Sequence, residues 1–145
     1  GFYCPQGSPI ATQLPCGSAL FYCPLGSPLP LKASPGYFTT GEGLTTTDRT
    51  TTSTTRSNQT VAPVGYYADR GLLFACPAGR YGDQRGMHSP LCSGPCAPGF
   101  FCPPASVTKF QRTCGGPHLF CPLGSPFPLP VSSGHYTSTT TSEGC

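Results

Sequence analysis

The residues able to do chemistry in this chain are its ten cysteines: Cys4, Cys16, Cys23, Cys76, Cys92, Cys96, Cys102, Cys114, Cys121 and Cys145. Thiols can attack a substrate, hold a metal or pair with one another. Attack needs an activating base, and His88, His118 and His135 lie in dissimilar contexts. The acids Glu42, Asp48, Asp69, Asp83 and Glu143 are spread singly, without a paired-carboxylate or nucleophile signature. An enzyme is not expected. For zinc, Cys92-x3-Cys96 is a tolerable half-site, but no second half with thiol and imidazole spacing follows, and no D-x-D run offers calcium its oxygens. No cofactor is expected beyond covalent glycans. Disulfides account for the cysteines best, and they place the chain in an oxidising, extracellular setting, at the cell surface.

The elements that position these thiols come as a repeat. Residues 1–40 and 99–138 match at 19 of 40 positions with an offset of 98 and no gap, and Cys4, Cys16 and Cys23 fall on Cys102, Cys114 and Cys121. Self-similarity at a fixed period marks an array whose units bury their apolar faces against neighbours. With 19 Gly, 19 Pro and 9% charged residues, the chain is poor material for a large packed core. Five bridges, at roughly 2–4 kcal/mol each, would supply the missing order. The expected fold is small and disulfide-rich, mostly irregular with short β-hairpins, an elongated array with almost no helix. Strand starts are marked by Gly1-Phe2-Tyr3, Gly36-Tyr37-Phe38, Gly65-Tyr66-Tyr67 and Gly99-Phe100-Phe101.

Composition divides the chain into the second half of a Cys-rich module (1–36), a Thr-rich linker (37–60), a complete Cys-rich module (61–136) and a Thr/Ser-rich tail (137–145) leading into a next unit. Eleven of the 22 residues from Thr39 to Thr60 are threonine, with no apolar period, and they read as extended. The chain starts at Gly1, as after removal of a signal peptide or in an internal fragment. The longest apolar run, Leu72–Cys76, is far short of the ~20 residues of a membrane span. A net charge of +3 from scattered Arg and Lys makes nucleic acid an unsuitable partner.

The spacing Cys76-x15-Cys92-x3-Cys96-x5-Cys102-x11-Cys114-x6-Cys121 resembles the cysteine-rich modules of tumour-necrosis-factor receptors and the ephrin-receptor-like repeats. The segments at 76–82, 92–103 and 114–126 are similar to repeats of large secreted algal and protist proteins, some of them components of flagellar hairs. That resemblance implies Cys76–Cys92, Cys96–Cys114 and Cys102–Cys121, and through the internal repeat Cys4–Cys23. Spacing alone leaves the connectivity open. Where such repeats read C-P-x-G-Y-Y-C, this chain has Ala62-Pro63-Val64-Gly65-Tyr66-Tyr67-Ala68, as if two cysteines had been lost together.

On this pairing Cys16 and Cys145 are left over. Ser142-Glu143-Gly144-Cys145 resembles Ser93-Gly94-Pro95-Cys96, so Cys145 is expected to bridge to Cys16 of an adjacent unit, completing a module across the junction. Copies of the chain would then join head to tail, as separate chains or as tandem repeats, in a contact that does not close and so grows a filament. The expected function is a structural subunit of an extracellular glycoprotein filament. The alternative is a ligand-binding or adhesive receptor ectodomain.

Surface chemistry supplies the glycan expectation. Asn58-Gln59-Thr60 is an N-glycosylation sequon. Thr45, Thr46, Thr47, Thr50, Thr51, Thr52, Thr54, Thr55, Thr139, Thr140 and Thr141 resemble O-glycosylated stalk residues.

Overall fold

The computed structural model describes residues 1–41 and 54–137. Among them there is no helix, and fourteen short strands pair two by two into seven antiparallel ladders. In chain order, β1 (Phe2–Tyr3) pairs with β2 (Leu14–Pro15), β3 (Phe21–Tyr22) with β4 (Leu31–Lys32), and β5 (Tyr37–Thr40) with β6 (Asn58–Val61). Next, β7 (Tyr66–Asp69) pairs with β8 (Leu72–Ala75) and β9 (Arg80–Tyr81) with β10 (Gly94–Pro95). Finally β11 (Phe100–Phe101) pairs with β12 (Arg112–Thr113) and β13 (Leu119–Phe120) with β14 (Leu129–Pro130). The chain is a disulfide-rich β-hairpin protein.

One local device builds most of these hairpins. In Ser34-Pro35-Gly36-Tyr37, the Tyr37 N–H donates to the Ser34 carbonyl at 3.0 Å and Gly36 sits at φ +78°. A type II turn requires this positive φ at its third residue, hence glycine. The same turn recurs at Pro63–Tyr66, Pro77–Arg80 and Ala97–Phe100. In each case the glycine carbonyl then accepts the N–H that ends the returning strand: Ala62 on Gly36, Cys76 on Gly65, Cys96 on Gly79 and Cys114 on Gly99, at 2.9–3.0 Å. Turn and register are thus fixed together, and the residue following each return strand is a cysteine in all but the first of the four.

The longest ladders, β5–β6 and β7–β8, carry the side-chain core. Phe38, Ala62 and Ala68 are buried together, with Leu73 against them, and Tyr67 stacks on Phe74 at 5.3 Å. Parallel bridges Phe38↔Gly71, Tyr67↔Met87 and Tyr81↔Ser106 tie successive hairpins to later segments. Thr39 and Arg56 are buried polar residues. The Arg56 Nη1 donates to the Thr39 carbonyl at 2.7 Å, and the Thr39 hydroxyl donates to the Ala19 carbonyl at 2.6 Å, so the guanidinium is neither bare nor apolar-lined. Elsewhere sulfur is the core: Cys23, Cys76, Cys96 and Cys102 are fully buried.

Four disulfides join the described residues: Cys16–Cys23, Cys76–Cys92, Cys96–Cys102 and Cys114–Cys121, with Cα–Cα separations of 5.7, 6.1, 6.0 and 5.7 Å. Cys76–Cys92 coincides with an expected pair. Cys4–Cys23, Cys96–Cys114 and Cys102–Cys121 are not formed: Cys23 is taken by Cys16, Cys96 by Cys102 and Cys114 by Cys121. The physical reason is local. A turn lies between the partners of each short bridge, closed by Phe21 N–H to Ser18, Phe100 N–H to Ala97 and Leu119 N–H to Gly116. Each turn folds the chain back within six or seven residues, so the nearest thiol is the next one along. Cys16 therefore has an intrachain partner and is not available to Cys145, which lies outside the described residues.

The stretch 37–60 is also not simply a linker. Its ends form the β5–β6 ladder, in the register Tyr37↔Val61, Phe38↔Thr60, Thr39↔Gln59 and Thr40↔Asn58. A boundary at 60/61 cuts through that ladder, and one at 36/37 falls at its edge. Aromatic and β-branched residues at both ends favour cross-strand pairing, and Phe38 gains the core by it.

Candidate functional site

With Cys16 bonded to Cys23, Cys4 is the free cysteine among the described residues. The turn-forming sequence Cys4-Pro5-Gln6-Gly7-Ser8 positions it directly after β1, and its N–H donates to the Ser27 carbonyl at 2.9 Å. Its counterpart Cys102 bonds the Ser125 carbonyl at 3.0 Å, the same contact 98 residues later. The two repeat copies are therefore folded alike at this point. Their sulfurs differ in what they touch.

In the second copy, the preceding segment lies across the repeat. The Cys96 carbonyl accepts the Gly124 N–H at 2.9 Å, the Ala97 N–H donates to the Lys109 carbonyl at 3.0 Å, and the Gly79 N–H donates to the Cys102 carbonyl at 2.8 Å. The Cys96 sulfur, 3.3 Å from the Lys109 carbonyl, is bonded to Cys102. In the first copy the matching groups are the Gly26 N–H, the Ala11 carbonyl and the Cys4 carbonyl. None of the three has a backbone partner among the described residues. The Cys4 thiol instead reaches both local carbonyls, Ile10 at 3.4 Å and Ala11 at 3.3 Å.

What the second copy fills is, in the first, an open groove of about 640 Å³ lined by Gly1, Phe2, Cys4, Ala11, Leu25 and Gly26 among others. Leu25 at its rim is fully exposed, which for a large aliphatic side chain marks a surface suited to a contact. Sequence reasoning named the wrong sulfur here. Cys16, the one left over in the sequence, is bonded to Cys23, and Cys4 is the cysteine without a bridge among the described residues.

The remaining expected sites are dispersed. Asn58 is exposed on β6, with its Oδ1 accepting the Gln59 N–H at 2.8 Å, and Thr60 of the same sequon is exposed. Thr54 is exposed and Thr55 half-buried, and the Thr54 carbonyl accepts the Gly17 N–H. Thr45, Thr46, Thr47, Thr50, Thr51, Thr52, Thr139, Thr140 and Thr141 lie outside the described residues. Among the described residues no group of three or more potential metal ligands assembles, and no helix is long and apolar enough to cross a membrane. The bridges suit a secreted protein. Compared with known proteins, the chain matches no family model and no curated protein.

Proposed function

We propose that this chain is a structural subunit of an extracellular glycoprotein filament, a cell-surface fibril or flagellar hair, whose copies join head to tail. The observation that carries this reading is that the two repeat copies fold alike, Cys4 N–H to Ser27 as Cys102 N–H to Ser125, and that the segment around Cys96 makes a backbone contact with the repeat 99–138. A unit that offers the receiving face of a contact it also makes internally can receive another unit in the same way. Such a contact is heterologous and need not close. Backbone hydrogen bonds and sulfur, in place of a large apolar interface, suit a protein whose core is small. Carbohydrate at Asn58, which faces solvent, and on the threonine tracts would coat the outside.

Negative-stain electron microscopy of native material tests this directly. Periodic fibres are the expected result. Discrete particles of uniform size would instead favour a receptor or adhesive ectodomain.

A further inference from the structure

We propose that the Cys76–Cys92 disulfide is a redox-sensitive bridge, which a small thiol of the surroundings attacks at the Cys92 sulfur and opens ahead of the other three. It stands whether or not the chain forms filaments. Of the eight cysteines bridged among the described residues, seven are buried and Cys92 alone is half-buried. Its neighbours Leu91 and Ser93 are exposed, so an attacking sulfur has an approach. The partner sulfur has none. Cys76 is fully buried, and a Cβ on Gly82 would fall 2.8 Å from its Sγ and against the Met87 methyl group, so glycine and methionine cover it. Attack is thereby confined to the Cys92 end.

The backbone supplies a second reason. Cys92 has φ +48°, and no other described cysteine takes a positive φ. It closes the turn Ser89–Cys92, its N–H donating to the Ser89 carbonyl at 3.0 Å, at a position that favours glycine. An L residue held there by a cross-link relaxes once the cross-link is cut, and the usual left-handed cost shifts the exchange toward the thiols by about 5- to 30-fold. Beside it, the Arg80 Nη1 donates to the Leu91 carbonyl at 2.7 Å, which sets a guanidinium at the peptide preceding Cys92 and draws in an anionic thiolate. Exposed or strained bridges are the labile ones.

In the first step the thiolate of a low-molecular-weight thiol bonds to the Cys92 sulfur, the Cys76–Cys92 bond breaks, and Cys76 leaves as a thiolate that takes up a proton. A second thiol then displaces Cys92 from the mixed disulfide, so two electrons and two protons pass to the protein and the reductant ends as its own disulfide. The opened bridge spans sixteen residues, against six or seven for the others, so it releases the largest loop. That loop ties the hairpins on both sides. Gly82 and Met87 carbonyls accept the N–H groups of Gly65 and Ala68, and the Gly86 N–H donates to Ala62. On the other side the Gly79 and Gly82 N–H groups donate to Cys102 and Ser106. With the bridge open, these bonds alone hold residues 77–91.

The test holds the full, oxidised chain under native conditions in reduced glutathione and quenches samples over time with one isotopic form of iodoacetamide. Each sample is then unfolded, reduced and alkylated with the other form, and every cysteine is read by mass spectrometry. Cys76 and Cys92 should take the first label at least about tenfold faster than the other bridged cysteines. Digestion without the reduction step should find glutathione on Cys92. The double variant Cys76→Ser/Cys92→Ser represents the opened state without alkyl bulk, and its amide hydrogens should exchange faster across 62–91 while 99–121 keeps its protection. First opening at Cys16–Cys23, Cys96–Cys102 or Cys114–Cys121 would overturn the proposal, as would glutathione on Cys76. Loss of all four bridges at one rate would mean global unfolding and overturn it too. Protection lost throughout the double variant, or unchanged at 62–91, would show that the bridge does not govern this loop.

Discussion

Ala62 and Ala68 stand where the fold elsewhere places a disulfide, and restoring sulfur there is a quantitative trial of the repeat logic. The Ala62 N–H bonds the Gly36 carbonyl at 2.9 Å as Cys96 bonds Gly79 at 2.9 Å; the Ala68 N–H bonds Met87 at 2.8 Å as Cys102 bonds Ser125 at 3.0 Å. Both pairs are six residues apart around the same type of turn, and both alanines are buried in one cluster. Cys96 and Cys102 have their Cα atoms 6.0 Å apart, inside the range a disulfide spans. The double variant Ala62→Cys/Ala68→Cys should therefore oxidise spontaneously. Closing a loop of this length removes unfolded-state entropy worth about 2 kcal/mol. The two added sulfurs must share space with Phe38 and Leu73, and overpacking of that kind costs about 1 kcal/mol at the low end of its range. The expected net gain is about 1 kcal/mol. Guanidinium titration of the oxidised variant against wild type measures it, with Ala62→Ser/Ala68→Ser as the uncrosslinked control and alkylation under denaturing conditions to count thiols. Two free thiols in a folded protein would show that the alanines do not occupy a bridge position, and the argument from register would fail.

Other outcomes follow from the same geometry. Gly36 and Gly99 share a φ near +78°, but a Cβ on Gly36 would fall 2.0 Å from the Gly86 carbonyl oxygen while Gly99 meets nothing within 4 Å. Gly99→Ala should cost about 1 kcal/mol, the left-handed penalty alone, and Gly36→Ala at least about 3 kcal/mol once the clash is added, both read by denaturant midpoint. Thr39→Val keeps shape but removes the hydroxyl that bonds Ala19 and receives Arg56, and should destabilise by about 1–3 kcal/mol in the same assay. Removing Cys76–Cys92 as a double serine variant opens a loop of sixteen residues and should cost about 3 kcal/mol, against about 2 kcal/mol for the seven-residue Cys114–Cys121 loop. Equal losses would refute the loop-length argument.

Much of the architecture is legible in the chain itself. The Gly-aromatic triplets open β1, β5, β7 and β11, and the 98-residue offset is kept down to individual hydrogen bonds such as Cys4 to Ser27 and Cys102 to Ser125. The sulfur connectivity is not legible, because six cysteines in a row constrain it only through the turns between them, and a pairing carried over from a resemblance overlooks those turns. Cys96 and Cys102 bracket Ala97–Phe100, a turn readable from its Pro-Gly, and that alone argues for the local bridge. The Thr-rich stretch misleads for a different reason: threonine is equally at home in a solvated tract and in a strand, and only the partner across the ladder decides.

The alanine pair also has a mechanical meaning. No cysteine lies between Cys23 and Cys76, so the 52 residues 24–75 carry no covalent cross-link of their own, whereas the segments on either side are stitched at short intervals. Tension along the chain would meet sulfur at both flanks and, between them among the described residues, the β3–β4, β5–β6 and β7–β8 ladders, the Arg56–Thr39 hydrogen bond and the packing of Phe38 on Ala62 and Ala68. That stretch gives way first and, fully drawn out, spans at most roughly 170–190 Å. The chain would lengthen under a sudden load and shorten again as this small core refolded, with the flanking disulfides still in place.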